Sequence, residues 1–201
     1  MAARERHLAG VTAVHETIDE IVEVLRELGV RAKLRFVWSI DGSGVEEDMP
    51  DVIHLHRTML VAERAPMRVL AEAERYAALS LASTIRHEVG HALLFARPHD
   101  ARRPAFRRMF GDVRTKYRVG TVVQEVGKRI TRHGGLANPR YQHVVSLYAA
   151  SHPHEQFAEA VRVALGATCD RDAIRAWGVE HGAGTRAIEQ VEYAAEWLAS
   201  Y

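Results

Sequence analysis

The stretch "TIRHEVGHALLF", residues 84–95, decides how this chain is interpreted. It places His87 and His91 four positions apart, with Glu88 directly after the first histidine. On an α-helix, side chains four residues apart lie on one face, so both imidazoles can reach a single metal ion. Glu88 is rotated by about 100° from His87 and is expected beside that ion, where a general base would stand. The stretch therefore predicts a helix that carries two metal ligands and a base.

Apolar residues on the rest of this segment can hold such a helix against a core. They recur at helical spacing and comprise Ala82, Ile85, Val89, Ala92 and Leu93. With this stripe turned inward, the two histidines are free to line a cleft. The competing interpretation is a pair of surface or core histidines on an ordinary helix.

A catalytic zinc site needs a third protein ligand, with its fourth position left for water. The candidates lie in "SLYAASHPHEQFAEAVRVAL", residues 146–165, where Glu155 and Glu159 stand four apart. A proline two residues before Glu155 can begin a helix that puts both carboxylates on one face. We interpret one carboxylate as a ligand and the other as its support. His152 and His154 are rival ligands, although they precede the helix.

The composition is that of an ordinary globular protein. The chain has 201 residues, of which 47% are hydrophobic and 26% are charged. No apolar run approaches the ~20 residues that cross a bilayer, and the N-terminus lacks the apolar centre of a secretory signal. The one cysteine, Cys169, cannot form an internal disulfide. These features predict a cytoplasmic protein with no membrane partner, whose metal would be held by histidine and carboxylate.

The spacing of apolar residues predicts one helix, then two strands, then helices. The expected elements begin with a helix over 11–28 that Gly29 ends, a strand over 31–40, and a strand over 51–57 whose residues alternate so that one face is apolar. Helical stretches are expected over 67–96 and 105–150, with a loop over 97–104 between them. The chain is expected to be helical from 153 onward, with breaks at Gly166 and around 178–184. The stretch 105–150 is the weakest because glycines interrupt it. Strands followed by helices favour an α+β fold over a doubly wound sheet. We expect one domain, 1–201, with an N-terminal lobe over about 1–96 and a helical C-terminal lobe over about 97–201.

Positive charge is concentrated in one segment, although the net charge is only +1. From residue 97 to residue 132 the sequence holds 11 lysines and arginines against three acids, Asp100, Asp112 and Glu125. Such a segment can attract nucleic acid or another acidic partner. It can equally be a solvated insertion, and we prefer that interpretation.

Several other residues carry weaker signals. His54 and His56 share one face of the second strand, a spacing that can bind metal but that also suits an exposed polar face. Asp112 is expected to hold an arginine or cap a helix rather than act in catalysis. Three tryptophans are expected in the core: Trp38, Trp177 and Trp197.

Three motifs occur in an order that resembles a known family. They are "HEVGHALL" (87–94), "FRRMFGD" (106–112) with Tyr117 after it, and "YAASHPHEQFAEA" (148–160). Together they resemble the zinc-binding metallopeptidases of zincin type found in bacteria. The last motif is also similar to the catalytic segment of anthrax lethal factor and of the Pro-Pro endopeptidases. In those enzymes a tyrosine stands seven residues before the glutamate that binds zinc, and Tyr148 and Glu155 have the same spacing.

The resemblance implies a mostly helical, zincin-like fold with a small N-terminal sheet. It implies that the metal ligands are His87, His91 and Glu155, that Glu88 is the base, that Tyr148 stabilises the oxyanion, and that Glu159 supports a ligand histidine. The implied function is a zinc metallopeptidase that hydrolyses a peptide or protein substrate with a zinc-bound water activated by Glu88.

Two other functions stay open. One is a regulatory protease that shares the same motif and cleaves a single repressor. The other is a zinc-stabilised module without catalytic activity that binds nucleic acid or a protein partner through the basic segment 97–132. Of these two partners, nucleic acid is the less favoured.

Overall fold

The computed structural model describes residues 3–41, 43–56, 81–117, 142–146 and 148–201, with the backbone alone for 3–10. The elements within these ranges are α1 (Ala3–Glu27), β1 (Arg35–Ser39), β2 (Gly44–Val45), β3 (Val52–His56), α2 (Leu81–Ala96), a 3₁₀ helix (Asp100–Arg102), α3 (Pro104–Phe110), a second 3₁₀ helix (Tyr148–Ser151), α4 (Pro153–Gly166), α5 (Arg171–His181) and α6 (Thr185–Ala199). The predicted α+β class, mostly helical with a small N-terminal sheet, is confirmed.

The first helix forms because apolar residues recur along one of its faces. Val14, Ile21 and Leu25 are each at most 4% exposed and belong to the core. Gly29 has a φ of +81°, a left-handed conformation that glycine adopts without steric cost. It follows the end of α1 as predicted, although the helix begins before the expected residue 11.

Within the described ranges, the sheet contains three strands, one more than the sequence predicted. Its order is β1-β3-β2, with β1 parallel and β2 antiparallel to β3. In the central strand, Ile53 and Leu55 are at most 2% exposed, as the predicted alternation requires. The missed strand, β2, has only two residues, too few to leave a pattern in the sequence.

The helices α2 and α4 cross at a glycine. A Cβ atom added at Gly90 would lie 2.9 Å from Cα of Ala158 and 3.1 Å from Cβ of Val161, well inside the optimal distance between carbon atoms. The missing side chain lets the two helices approach closely, so that the histidines of α2 meet the glutamates of α4. Buried residues that pack around this crossing include Ile85, Val89, Leu93, Phe106, Phe157 and Val161.

Prolines and glycines mark the ends of the C-terminal helices. Pro153 occupies the first turn of α4, as predicted, where its missing N–H costs no hydrogen bond. The expected break near residue 166 is present, because α4 ends at Gly166 and the next helix begins at Arg171. The expected break around 178–184 is present at Gly182, which has a φ of +57° and follows α5.

Other sequence-based expectations are met in part. The helix expected over 67–96 is confirmed for its described part, α2, while 67–80 lies outside the described residues. The loop expected over 97–104 contains a 3₁₀ helix, and the weak helix expected over 105–150 is described only as α3 and the turn before α4. Residues 118–141 lie outside the description, and the division into two lobes stays a prediction.

The three tryptophans differ in burial. Trp197 is 7% exposed and lies in the core as expected. Trp177 is partly buried and packs against the core. The expectation for Trp38 is wrong, because this residue is 38% exposed. It belongs to β1, which lies at the edge of the sheet formed by the described strands. In the described part of the chain, no helix has the length and apolar character needed to cross a bilayer.

Candidate metal centre

Helix α2 carries two buried histidines one turn apart. His87 and His91 are 8% and 7% exposed, and their Nε2 atoms lie 3.1 Å apart. The four-residue spacing predicted this placement, because it puts both rings on one side of the helix. Ile85 and Val89, on the same helix, are fully buried in the core and hold α2 in place.

Helix α4 supplies a carboxylate to the same point. Oε2 of Glu155 lies 3.0 Å from Nε2 of His87 and 3.2 Å from Nε2 of His91. Within the described ranges, these three residues form a group able to hold a metal ion. Two imidazole nitrogens and a carboxylate oxygen are a donor set that zinc accepts, with one position left open. The trio fits a zinc site, and its binding of zinc stays a prediction.

Hydrogen bonds favour the protonated form of His87 and the ionised form of Glu155. Burial by itself would lower the pKa of His87 and raise that of Glu155. The hydrogen bonds between imidazole and carboxylate outweigh burial, so the pKa of His87 is raised and that of Glu155 is lowered. A metal ion would take the place of the proton that the imidazole holds.

Glu159 lies behind the trio and orients one of its histidines. Its Oε1 accepts a hydrogen bond from Nδ1 of His87 at 2.7 Å. Arg162 donates to both carboxylate oxygens of Glu159, at 3.1 and 3.2 Å. Although burial opposes it, the Arg162 guanidinium and then His87 hold the pKa of Glu159 well below its usual range. The ionised carboxylate fixes the proton on Nδ1 of His87 and leaves Nε2 for a metal.

Glu88 and Tyr148 line a cavity of about 280 Å³ beside the trio. Glu88 is 7% exposed, and burial raises its pKa against the opposing effect of His87 and His91. The Tyr148 ring lies 5.8 Å from the His87 ring, and burial raises the pKa of its phenol to about 12. Glu88 therefore accepts a proton more readily than an exposed carboxylate does, and Tyr148 keeps its own at neutral pH.

The two rival histidines do not join the trio. Nδ1 of His152 accepts a hydrogen bond from the backbone N–H of His154 at 3.2 Å and so caps α4. Nε2 of His152 donates to the carbonyl oxygen of Thr115 at 3.1 Å. The ring of His154 packs against Phe95, and burial lowers its pKa to about 4. Both histidines therefore belong to the framework around the metal centre.

The histidines of β3 are placed elsewhere. Nε2 of His56 lies 3.0 Å from the carbonyl oxygen of Ile40. Neither His54 nor His56 belongs to the metal-holding group found among the described residues. The sheet reaches the cavity through β2, whose residues Gly44 and Val45 line it.

Acidic residues neutralise part of the basic segment. The carboxylate of Asp112 lies 2.7 Å from a guanidinium nitrogen of Arg107 and 2.7 Å from one of Arg114. The expectation that Asp112 holds an arginine is therefore confirmed. Arg103 pairs in the same way with Asp100 at 2.8 Å. The rest of this segment, 118–132, lies outside the described residues.

The role of Arg162 was not predicted from the sequence. This residue stands three positions after Glu159 on α4, a spacing at which helical side chains meet. Its side chain is only 14% exposed, and its Nη1 donates to Oγ of Ser83 on α2 at 3.2 Å. Arg162 thereby joins the two helices that build the site. The spacing could have revealed the pair, but an arginine on an amphipathic helix is usually exposed.

Comparison with known proteins identifies the family. No curated protein and no solved structure shows a significant match to the chain, and the similarity to lethal factor and the Pro-Pro endopeptidases stays a prediction. The family described as "Putative zinc-binding metallo-peptidase" matches residues 61–199, which include α2, α4 and the whole trio. The chain therefore belongs to this family of zinc-binding metallopeptidases.

Proposed function

We propose that the chain is a zinc-dependent metallopeptidase that hydrolyses peptide bonds. The observation that carries this proposal is the convergence of His87, His91 and Glu155 beside a cavity that Glu88 and Tyr148 also line. Structural zinc sites are usually closed by four protein ligands, whereas catalytic sites leave one position open. Among the residues that the structure describes, three donors lie at the wall of a cavity, which matches the catalytic arrangement. Membership of the family adds support.

The residues of the trio would hold the ion, and the residues behind them would orient the ligand side chains. Bound Zn²⁺ would supply a Lewis acid that polarises a carbonyl group and makes water more acidic. Glu159 keeps the proton of His87 on Nδ1, so that Nε2 is available as a ligand. Arg162 keeps Glu159 ionised for that task.

Glu88 would act as the general base. Its carboxylate would accept a proton from the water that attacks the peptide carbonyl, and would then pass this proton to the leaving amine. Burial raises the pKa of Glu88 and so strengthens it as a base. The neighbouring imidazoles of His87 and His91 oppose burial and limit this rise in the pKa of Glu88.

Tyr148 would stabilise the oxyanion that develops on the attacked carbonyl. The phenol retains its proton, since burial raises its pKa to about 12. It can therefore donate a hydrogen bond at the stage where negative charge appears on oxygen.

A digest of a peptide library, with and without a chelator, tests the proposal. We expect the wild-type protein to cleave peptides only when zinc is bound. Glu88→Gln should lower turnover by about 10²-fold or more while the zinc content stays unchanged, because a base has been removed and no ligand. Glu47→Gln is the matched control, since Glu47 lines the same cavity but is exposed.

Two results would contradict the proposal. If the wild-type protein binds zinc but cleaves no peptide, the proposed peptidase activity is wrong. Loss of zinc from the Glu88→Gln variant would show that Glu88 is a ligand rather than the base.

The competing proposal is a zinc-stabilised binding module that acts through segment 97–132. In the described part of this segment, several arginines already pair with acids of the chain, which leaves less positive charge for a partner. A salt-sensitive shift of DNA without any cleavage of peptides would favour this module over the peptidase.

A further inference from the structure

Tyr117 is a large aromatic residue that stays exposed beside the candidate metal centre. Its side chain lines the same cavity as Glu88 and Tyr148, and the residue is 49% exposed. Single exposed aromatic residues are common and need no explanation. This one is different because it faces the cavity of a proposed active site and is held in one orientation by its neighbours.

A buried histidine fixes the ring of Tyr117. The two rings are stacked, with centroids 4.5 Å apart and an angle of 16° between their planes. His152 is 7% exposed and forms hydrogen bonds through both ring nitrogens, to the backbone of Thr115 and of His154. One face of the tyrosine ring is thus covered by an immobile partner. Tyr117 is nevertheless 49% exposed, so its ring can receive a ligand, and little conformational entropy is lost when the ligand binds.

The stacked pair continues as an aromatic wall that reaches the metal trio. The ring of His152 lies 4.8 Å from that of His154, which lies 5.2 Å from the ring of Phe95. Phe95 in turn stacks on His91, with centroids 5.6 Å apart. A ligand on Tyr117 would therefore lie on the same wall as one of the candidate zinc ligands.

We propose that Tyr117 binds a flat aromatic side chain of the peptide substrate, within three residues of the scissile bond. His152 is the residue that positions Tyr117. Aromatic rings favour other aromatic rings in offset-stacked or edge-to-face contact, which identifies Phe, Tyr or Trp as the recognised side chain. The contact lies close to the scissile bond because Tyr117 lines the same cavity as the metal trio. This inference rests on the proposed peptidase function.

Binding of peptide hydroxamates tests the contact without requiring cleavage. The probes are two series of tripeptides that carry the hydroxamate, a zinc-binding group, at either end of the peptide. Each series contains an all-glycine member and members with phenylalanine at each of the three positions. Calorimetry with the zinc-loaded full chain should show one phenylalanine probe that binds about tenfold more tightly than its glycine counterpart.

Variants of Tyr117 assign this preference to the ring. Tyr117→Ala should reduce the preference to about twofold or less, whereas Tyr117→Phe should keep it, since the ring and its stacking remain. Trp38→Ala is the matched control, because Trp38 is a similarly exposed aromatic residue that lines a different cavity, against α1. Its removal should leave the preference unchanged.

A variant of His152 separates positioning from folding. His152→Asn removes the stacked ring but keeps a side-chain oxygen that can cap α4. We expect this variant to remain folded with an unchanged zinc content, although its melting temperature falls because the Thr115 carbonyl loses its donor. It should lose about half or more of the preference for phenylalanine. If His152→Asn prefers phenylalanine as strongly as the wild type does, His152 does not position Tyr117.

Kinetics give a second readout where cleavage is observed. For a peptide that contains the preferred aromatic residue, Tyr117→Ala should raise KM about tenfold and leave kcat within about twofold. Equal binding of the phenylalanine and glycine probes by the wild type would overturn the inference, and so would a failure of both to bind. Probes that bind with the expected preference to a protein that cleaves nothing would instead overturn the proposed peptidase function.

Discussion

Glu159 illustrates how single residues build this site, since it is 2% exposed and its carboxylate is bound to both His87 and Arg162. We expect Glu159→Gln to weaken zinc binding about tenfold. The amide can still accept a hydrogen bond from Nδ1, but it lacks the charge that makes the imidazole a stronger ligand. Arg162 would also lose its ionic partner. A competition titration with a chromophoric chelator measures the change.

The control for this prediction is a carboxylate that is far more exposed. Glu189 on α6 has a side chain that is 48% exposed and pairs with Arg186 at 3.5 Å. Glu189→Gln should leave zinc affinity unchanged. An unaltered affinity in Glu159→Gln would show that Glu159 does not tune the metal ligand.

Tyr148 offers a second test at the scale of one residue. Tyr148→Phe should lower kcat by about 10²-fold with little change in KM, because the phenol would bond only to the transition state. Steady-state kinetics on a cleaved peptide separates the two constants. Tyr193→Phe is a suitable control, since Tyr193 packs edge-on against Phe110 in the core. A normal kcat in Tyr148→Phe would remove the phenol from the mechanism.

At the scale of the secondary-structure elements, the site depends most on the close crossing of α2 and α4. Gly90→Ala would place a Cβ atom 2.9 Å from Cα of Ala158. The clash involves backbone, so the helices must separate, and we expect a loss of about 1–3 kcal/mol in the free energy of unfolding. The gain in helix propensity, roughly 1 kcal/mol, offsets only part of that loss. Denaturant titration measures it, and zinc affinity should fall in parallel.

Gly166→Ala controls for helix propensity. A Cβ atom there would meet Nη1 of Arg86 at 3.5 Å, an ordinary contact with a flexible side chain. We expect this change to be neutral or slightly stabilising. If Gly90→Ala behaves like Gly166→Ala, the crossing tolerates a methyl group and the explanation offered for Gly90 is wrong.

The elements that sequence could predict are those with a local cause. The helix of His87 and His91 has a complete apolar stripe, and Pro153 marks the beginning of α4, so both could be placed from spacing alone. The two-residue strand β2 could not, because its pairing with β3 depends on the tertiary fold. Arg162 was missed for a related reason: only the packing of α4 on α2 buries its charge.

At the scale of the whole molecule, the trio joins helices from distant parts of the chain. His87 and His91 belong to α2 and Glu155 to α4, so bound zinc would link the two. At a free zinc concentration of 100 times the dissociation constant, binding stabilises the folded state by about 2.7 kcal/mol. For a chain of this length we expect a rise of about 5–10 °C in Tm, measured by calorimetry.

His91→Ala provides the control, since it removes one ligand. Zinc should raise the Tm of this variant by much less than that of the wild type. Equal increases in both proteins would mean that zinc binds at another site and would remove the proposed role of the trio.

The order of elements predicted the α+β class, but not the topology of the whole molecule. The parallel pairing of β1 with β3, and the return of β2 on the other side, follow from long-range contacts that leave no periodic signal in the sequence. The partners of Glu155 lie more than sixty positions upstream. Helical spacing identified the candidates within each helix, and the family resemblance singled out Glu155 as the ligand. The distances between Glu155 and the two histidines follow from the fold alone.

The glycine at the helix crossing also restricts how this protein can evolve. A larger residue at position 90 would collide with the main chain of Ala158, and no exchange of the Ala158 side chain relieves such a collision. Second-site suppressors are therefore expected to be rare, and random mutagenesis followed by selection should recover glycine there even when the substrate is changed. New specificities would arise by substitutions around the cavity while this crossing point stays constant.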